Sequence, residues 1–294
     1  MDFSALFMQF LSGLSQGMLM VIIASGLSLV FGTMNILNFA HGSFYMLGAY
    51  ACFAVVTLLP QVTGNFWIGL LVGPLAVAGI GGLIERNVLR RVYSRHLLDQ
   101  LLLTYAFILI FDDVVKMIWG IDFQSIRMPA VLSGKLDILG RSLPHYDLFL
   151  ILMGPLILAG LYFLLQKTRI GRVMRATASD AEMMLALGGN VRVLFNRVFM
   201  LGVWLGGMGG ALVSPQAAIS PGMAVSIIVE SFIVVVIGGL GSFWGTLLGA
   251  FIFGQFNAFG ILFLPRMAII FPFVLMALVL IIRPWGLLGR PESS

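Results

Sequence analysis

The sequence is poor in charge. Only 10% of its 294 residues are Asp, Glu, Lys or Arg, whereas 60% are hydrophobic; a soluble domain carries about 25% charged residues. The mean hydropathy is +1.05. A water-soluble globule of this length cannot hide so much apolar surface, so most of the solvent around the chain must be lipid. The composition predicts one membrane domain spanning residues 1–294.

Cysteine and recognisable reactive groups are also scarce. Cys52 is the single cysteine, so it cannot form an intrachain disulfide. His41, His96 and His145 are scattered over different segments, without a His-Glu-x-x-His motif or a Cys/His cluster. We therefore expect no catalytic residues and no metal site, and an intramembrane enzyme ranks far behind the other interpretations.

Neither a nucleotide site nor an ion relay is evident. No complete P-loop motif occurs, so ATP could drive this chain only through another subunit. Glu230 is the main charge inside an apolar run, since Asp112 and Asp113 lie near the end of theirs. An intramembrane carboxylate is a functional candidate, although Glu230 could equally lie near the outer end of its span and be hydrated. The scarcity of such charges argues weakly against ion-driven transport.

Apolar runs occupy most of the sequence. Each is long enough, or nearly so, to form the roughly 20-residue helix that crosses a bilayer. The pattern predicts an all-α polytopic membrane protein with about 8–10 spans. The first run lacks a basic start and a cleavage site, so we expect a retained span rather than a signal peptide. The nine predicted runs are 6–31, 42–59, 66–84, 97–119, 148–165, 198–213, 224–237, 244–259 and 267–282.

The net charge of +5 reflects basic blocks between the runs, without interleaved aromatic residues. That arrangement indicates membrane orientation rather than nucleic-acid binding. In the nine-run arrangement the blocks share one side, which is predicted to be cytoplasmic, with the N-terminus outside and the C-terminus inside. The basic residues on that side are Arg86, Arg90, Arg91, Arg95, Lys167, Arg169, Arg172, Arg175, Arg192, Arg197, Arg283 and Arg290.

Two long loops differ in kind. Residues 120–147 are near neutral and rich in proline and glycine between short β-like pieces such as 130–132, which predicts a folded external cap. Residues 168–197 instead predict a cytoplasmic helix, a break at 188–190 and a continuation. That amphipathic helix could serve orientation alone or could dock a partner.

Glycine is abundant, with 35 residues, many at four-residue spacing, as in Gly202, Gly206 and Gly210. Such spacing favours close helix packing in lipid. Residues 31–41 and 237–243 differ, because they concentrate Gly, Asn or Ser between apolar runs. Irregular backbone at membrane depth must be buried or line a cavity, and paired breaks point to a translocation pathway. We therefore predict two broken or re-entrant segments; the faint similarity of residues 42–44 to 241–243 could still be chance.

Several motifs, taken in order, have a recognisable pattern. They lie at 26–32, at 35–42 (Asn-Ile-Leu-Asn-Phe-Ala-His-Gly), at 46–50, at 171–176, at 186–188, at 236–242 and at 284–290. Together they resemble the signature of LivH-type permeases, the membrane subunits of ABC importers for branched-chain and related hydrophobic amino acids. The resemblance covers nearly the whole chain, and only residues 120–147 carry no signature.

The resemblance implies a bacterial cytoplasmic (inner) membrane importer with several partners. These are a second permease subunit or a second copy of this chain, two cytoplasmic ATPases that use ATP and Mg²⁺, and a periplasmic binding protein. No cofactor is expected on this chain. With Glu230 added from its charge, the expected pathway residues are Asn35, Asn38, Phe39, His41, Glu230, Gly238, Gly239, Gly241 and Ser242. The residues expected to face the ATPase are Arg172, Arg175, Asp180, Glu182, Leu187 and Gly188.

Each assignment has an alternative. Asn38 could cap a helix, His41 could be a satisfied interfacial residue, and Gly238 and Gly239 could simply end a helix. Arg172 and Arg175 could serve orientation only. An independent secondary carrier or channel for small polar solutes, such as urea or amides, is the alternative function, and the substrate itself stays open.

Overall fold

The computed structural model describes residues 2–93, 95–138 and 140–289. That part of the chain is mainly helical, with a two-stranded antiparallel sheet between the fourth and fifth helices. The helices are α1 (Phe3–Met34), α2 (His41–Leu58), α3 (Asn65–Asn87), α4 (Leu97–Trp119), α5 (His145–Lys167), α6 (Arg169–Ser179), α7 (Ala181–Ala186), α8 (Val191–Val213), α9 (Met223–Gly238), α10 (Phe243–Phe263) and α11 (Phe271–Ile282). The strands are β1 (Lys135–Ile138) and β2 (Arg141–Pro144), and short 3-10 turns occupy Leu89–Arg91, Ala130–Leu132 and Pro265–Met267.

The helices confirm the predicted all-α polytopic membrane fold. Among the described residues, the six helices α1, α2, α3, α5, α8 and α10 are long and apolar enough to cross a membrane, while α9 and α11 are shorter apolar helices. α4 has 23 residues and carries Asp112, Asp113 and Lys116 near its end. Each predicted run coincides with one of these helices, which follows from the lipid-matched length of the apolar segments.

α5 separates two faces of the bundle. It begins directly after β2 and ends directly before α6, so the hairpin and α6 lie at its opposite ends. We call these ends the hairpin face and the coupling face. α1 begins at the hairpin face, where Arg141 Nε donates to Ser4 Oγ (3.3 Å). α8 ends there as well, because the Tyr146 hydroxyl donates to the Leu212 carbonyl (2.6 Å).

Close backbone contacts hold the central helices together. α1 packs on α5, α8, α9 and α10, and α8 also packs on α2 and α3. A Cβ added at Gly48 would meet the backbone of Gly207, and one added at Gly210 would meet the Tyr45 carbonyl. Lipid offers no hydrophobic drive for helix association, so dispersion contacts at such small residues supply much of it. The packing role predicted for the in-helix glycines is confirmed.

Residues 168–197 form two helices before α8, where the sequence predicts one. The Asp180 carboxylate accepts a hydrogen bond from the Met183 N–H (2.8 Å), and this cap starts α7 as a separate helix. The predicted break follows α7, with Gly188 in a left-handed conformation. Asn190 then accepts from the Val193 N–H (3.1 Å). That second cap starts α8 earlier than the apolar run at 198–213 predicts.

Residues 120–147 contain the hairpin, but not where the β-like piece was expected. The prediction for 130–132 is wrong, since these residues form a 3-10 turn in which the Leu132 N–H donates to the Pro129 carbonyl (2.8 Å). A local turn bond occupies the donor that a strand partner would need. Gln124 and Ile219 exchange two backbone bonds of 2.8 Å, which tie the segment to the α8–α9 loop.

The last predicted run, 267–282, is shorter as a helix, because the turn at Pro265–Met267 precedes α11. Arg283 directly follows α11. Arg290, the other basic residue predicted to flank this run, lies outside the described residues.

Candidate functional site

The first predicted break places the start of α2 deep inside the bundle. α1 ends at Met34, and Asn35 follows in a left-handed conformation (φ 54°). α2 begins at His41, whose Nε2 lies 2.9 Å from the Ile23 carbonyl of α1. Ile23 precedes the end of α1 by about three helical turns. Residues 35–40 therefore return along α1, from the coupling face into the interior.

The polar groups at this position have few partners within the chain. Asn38 and His41 are fully buried. Neither polar side-chain atom of Asn38, nor His41 Nδ1, nor Ser43 Oγ has a hydrogen-bond partner among the described residues. An unsatisfied buried polar group costs about 1–3 kcal/mol. These atoms, like the Tyr50 hydroxyl and Ser231 Oγ elsewhere in the bundle, would gain from binding something beyond the described residues.

Two alternative interpretations of these residues fail. Asn38 is not a helix cap, because the N-cap residue of α2 is Ala40 and no side chain makes a cap bond there. His41 is not interfacial, because it lies fully inside the bundle. It is satisfied at one ring nitrogen only.

Glycines form the wall around His41. A Cβ added at Gly26 of α1 would lie 2.9 Å from His41 Cε1, and one added at Gly206 of α8 would lie 3.0 Å from the same atom. A Cβ at Gly42 would meet the Ala224 carbonyl of α9. α1, α8 and α9 therefore enclose the start of α2 at the closest distance that glycine permits.

The second predicted break, between α9 and α10, is a tight turn. α9 ends at Gly238, and Gly239 (φ 104°) and Gly241 (φ 74°) take conformations that favour glycine. Ser242 Oγ accepts from the Gly245 N–H (3.1 Å) and caps α10. The interpretation that Gly238 and Gly239 end a helix is confirmed.

The C-terminal segment covers this turn, a role that sequence reasoning missed. The N–H groups of Leu287 and Leu288 donate to the last two carbonyls of α9, at 2.8 and 3.0 Å. A Cβ added at Gly239 would lie 2.6 Å from Gly289 Cα. The only signal in the sequence was the motif at 284–290, whose contact with a turn some 45 residues earlier cannot be read from spacing.

The two breaks approach each other near the coupling face. A Cβ added at Gly32, close to the end of α1, would lie 2.9 Å from Gly241 Cα. The Phe39 ring lies 4.9 Å from the Phe232 ring of α9, centroid to centroid. The structure thus brings the two breaks close together beside the end of α1, while Asn35 is exposed at the end of that helix.

Glu230 lies near the midpoint of α9 rather than at its end. It is half-buried and lines a cavity of about 470 Å³ between α9, α10 and the start of α11. A charged group at the centre of a membrane helix costs about 2.5–3.5 kcal/mol on insertion scales. A polar lining or a cationic partner would reduce that cost.

The loop between α5 and α8 presents its predicted residues to solvent. α6 buries Gly171, Met174 and Thr177 on one face and exposes basic side chains on the other. α7 exposes Met183 and Leu185 as well. All six predicted coupling residues are exposed, namely Arg172, Arg175, Asp180, Glu182, Leu187 and Gly188.

A buried carboxylate next to this loop escaped the sequence analysis. Glu85, at the end of α3, is fully buried. It accepts hydrogen bonds from the Tyr93 hydroxyl (2.7 Å), from Asn196 Nδ2 of α8 (2.5 Å) and from Arg90 (3.2 Å). Arg90 also donates to the Arg192 carbonyl (3.2 Å). These bonds join α3 to the first turns of α8.

Burial raises the pKa of the Tyr93 hydroxyl, and its hydrogen bond to the Glu85 carboxylate raises it further. Tyr93 therefore stays protonated and remains a donor at neutral pH. Sequence analysis had interpreted Arg90 as orientation chemistry only. The overlooked signal was Glu85 itself, the lone acidic residue directly before a block of arginines.

Ser15 lies in a Gly-x-Ser-x-Gly sequence, which is the pattern around some catalytic serines, but its structural context is different. Residues 13–17 read Gly-Leu-Ser-Gln-Gly, but they lie within α1, where Ser15 Oγ donates to Asp147 Oδ1 (3.1 Å). A nucleophile elbow requires a strand-to-helix turn. Ser15 instead links α1 to α5.

Comparison with known proteins adds sequence relatives. The family model described as "Branched-chain amino acid transport system / permease component" matches residues 9–282. The high-affinity branched-chain amino acid transport system permease protein BraD of Pseudomonas aeruginosa is 29% identical over 297 residues, which cover 97% of this chain and 96% of BraD.

Two further relatives carry similar descriptions. The high-affinity branched-chain amino acid transport system permease protein LivH of Escherichia coli (strain K12) is 27% identical over 296 residues, covering 97% of this chain and 96% of LivH. The probable branched-chain amino acid transport permease protein LivH of Methanocaldococcus jannaschii is 28% identical over 291 residues, covering 92% and 89%. No solved structure matches the chain.

Proposed function

The chain belongs to the family of permease components of branched-chain amino acid transport systems, and from that premise we propose that it is the transmembrane permease subunit of an ATP-binding-cassette importer. Membership makes it a transport permease rather than an enzyme. The proposed cargo is a branched-chain or related hydrophobic amino acid, which crosses the cytoplasmic membrane by alternating access.

The proposal includes partners that supply energy and substrate. Two cytoplasmic ATPase subunits would use ATP and Mg²⁺, and an extracytoplasmic solute-binding protein would deliver the cargo. A second homologous permease, or a second copy of this chain, would complete the membrane part. This chain itself would bind no nucleotide, metal or nucleic acid.

The exposed apolar end of α7 is the observation that carries the proposal. Leu187 is 75% exposed, and Met183 and Leu185 are each 56% exposed. They lie in the charged segment that connects the end of α5 to the start of α8. They are therefore not part of a long apolar helix whose exposed side chains face lipid. Apolar side chains grouped on such a short helix fit a groove on another protein.

The distribution of basic residues supports a cytoplasmic location for the coupling face. Arg90 contacts the start of α8 there, and the basic residues of α6 are next to it along the chain. Positively charged loops are retained in the cytoplasm. The start of α1, at the hairpin face, would then lie outside.

The buried polar groups support a pathway near the start of α2. Asn38 and His41 would contact the passing substrate or its water, because the chain itself does not satisfy them. Glu230 would contribute the negative charge of that route. Gly238, Gly239, Gly241 and Ser242 would shape the adjacent turn rather than contact the substrate.

We propose that the Glu85 cluster transmits motion from the coupling loop. It joins α3 to α8 directly after α7, so a displacement of α7 would move both helices together. Glu85→Gln should lower the ratio of substrate transported to ATP hydrolysed in the reconstituted complex. Arg91→Gln, an exposed change in the same basic block, should leave that ratio unchanged; equal ratios in both variants would remove Glu85 from the coupling route.

Leu187→Asp tests the docking surface. We expect the variant to reach the membrane in normal amounts, because Leu187 is exposed, but to lose co-purifying ATPase subunits and substrate-stimulated ATP hydrolysis. Asp180→Arg should have a related effect, but it also removes the cap of α7, so Leu187→Asp is the cleaner change.

Val131→Asp is the matched control for Leu187→Asp. Val131 is 78% exposed, on the hairpin face, and its replacement should leave ATPase co-purification intact. Full substrate-stimulated ATP hydrolysis with Leu187→Asp would contradict the docking site. Uptake of amino acids, urea or amides into liposomes by this chain alone would favour an independent carrier or channel and overturn the importer proposal.

A further inference from the structure

The cavity around Glu230 has a distinct chemical character. Its volume, about 470 Å³, falls within the roughly 300–1,000 Å³ range of small-molecule sites. α9, α10 and residues 268–273 form its walls. Most of the lining is apolar, including Ile233, Ile269 and Phe273, and the polar lining residues are Ser226, Glu230 and Asn257.

The polar atoms of this cavity are mainly acceptors. Glu230 makes no ion pair and no hydrogen bond with any residue that the structure describes. Ser226 uses its only hydroxyl hydrogen on the Met223 carbonyl (3.1 Å), and Asn257 donates to Gln16 Oε1 (3.3 Å). One N–H of Asn257 remains free among the described residues, but a ligand must bring hydrogen-bond donors for the other polar atoms and, to balance the carboxylate, a positive charge.

An ammonium group on an apolar body meets both requirements. It carries three donors and one positive charge, while its apolar part would contact Ile233, Ile269 and Phe273. A neutral amide or urea leaves the carboxylate unbalanced, and a carboxylic acid without an amine is repelled by it. The cavity thus distinguishes amino acids from the other cargoes that the sequence left open.

We propose that the Glu230 cavity is the subsite that binds the ammonium group of a hydrophobic amino acid during its passage. The proposal rests on the importer function and deepens it. Position supports it, because Glu230 lies near the middle of the apolar helix α9 rather than at either end. An aminophospholipid headgroup offers the same ammonium chemistry and is the competing source.

Carbodiimide labelling measures occupancy of the site without transport. The purified chain is placed in nanodiscs of phosphatidylcholine and phosphatidylglycerol, which lack primary amines, and modification of the Glu230 carboxyl by dicyclohexylcarbodiimide is followed by mass spectrometry. Because an added amine can couple to the activated carboxyl, modification is counted as the sum of the carbodiimide adduct and any amide formed with that amine. Isoamylamine, which is leucine without its carboxylate, should protect Glu230. Isocaproate, which is leucine without its ammonium, and urea should not. Glu85, whose carboxylate already has three protein donors, is the internal control and should not respond to the amine.

A second set of nanodiscs distinguishes the two sources of ammonium. Protection by isoamylamine in amine-free lipid supports the subsite. Protection by phosphatidylethanolamine alone, with no further effect of isoamylamine, assigns the cavity to lipid and overturns the proposal. Equal labelling under every condition also overturns it.

Transport by the complete complex separates this inference from the proposed function. Isoamylamine should inhibit leucine uptake, and Glu230→Gln should weaken that inhibition by about tenfold or more, because a charge-assisted hydrogen bond is lost. Glu230→Asp, which keeps the charge, should weaken it less. Normal leucine uptake with unchanged inhibition in Glu230→Gln would overturn the subsite and leave the importer intact. Protection in nanodiscs without ATP-driven uptake by the complex would leave the site and overturn the importer.

Discussion

The two breaks in the bundle look alike in sequence but differ in how their polar groups are satisfied. At the first, Asn38 and His41 are buried with unpaired side-chain atoms. At the second, Leu287 and Leu288 satisfy the end of α9, and Ser242 caps α10. At the second break the described residues satisfy the helix ends, whereas at the first they leave several buried polar atoms without a partner.

The difference indicates that the two breaks have separate roles, one in stability and the other in transport. A satisfied turn resists deformation, because breaking it exposes several backbone groups at once. An unsatisfied polar site loses little hydrogen-bond free energy when its surroundings change, and it gains hydrogen bonds when a ligand or water binds. We expect changes at the second break to affect stability, and changes at the first to affect transport.

Gly239→Ala should produce the largest effect. The left-handed backbone costs an alanine about 1–2 kcal/mol, and overlap with Gly289 adds about 1–3 kcal/mol. The unfolding free energy in detergent, measured by SDS titration, should fall by the sum of these terms. Gly222→Ala is the control for a positive φ (85°), because Gly222 has open space around it, although its ψ of −13° differs from the 122° of Gly239. Equal losses in both variants would show that packing by the C-terminal segment contributes nothing.

Leu288→Pro should cause the next largest loss of unfolding free energy. Proline removes the N–H that donates to Gly238, which leaves a carbonyl unsatisfied at a cost of about 1–3 kcal/mol. Leu288→Ala keeps the N–H and should lose much less stability in the same titration. If the alanine variant were equally unstable, the leucine side chain rather than the backbone bond would hold the turn.

Asn38→Leu should reduce transport while changing stability little. Because the amide has no partner among the described residues, its removal should change the unfolding free energy by less than about 1 kcal/mol, while uptake by the complete complex falls about tenfold. Asn65→Leu is the matched substitution, since the Asn65 amide donates to the carbonyls of Val56 and Leu59, both at 3.2 Å. That variant should lose stability and retain transport. A large stability loss with Asn38→Leu would remove the contrast between the two breaks.

Ser242→Ala should have the smallest effect. Loss of a serine N-cap costs about 1 kcal/mol. Transport per correctly folded complex, normalised to protein in the membrane, should be unchanged. Ser242→Asp can replace the cap and should recover the stability. A transport defect that the aspartate variant does not recover would place the hydroxyl in the pathway.

Much of the fold could be predicted because membrane insertion depends on local composition. A span needs a contiguous apolar run, and the nine runs became nine helices in the described chain. Two of the errors lie at capped helix ends. α7 and α8 begin where Asp180 and Asn190 provide caps, and hydropathy averaged over a window does not detect a single capping side chain.

For the site, the sequence predicted the motifs but not the contacts that their side chains make. Residues 31–41 and 237–243 were both predicted to be breaks, but their similar composition concealed their different environments. The Glu85 cluster was missed because its partners Tyr93 and Asn196 come from separate segments. Pairing between distant side chains leaves no periodic pattern to detect.

The local balance of apolar and charged residues is enough to predict that the chain lies in lipid, where its helices run, and which loops carry the basic charge. Three features became visible only in the folded chain: α2 begins inside the bundle, the C-terminal segment closes the second break, and Glu230 lines a largely apolar cavity. The reason is physical: burial cost depends on whether a polar group finds a partner, and here those partners lie far apart along the chain.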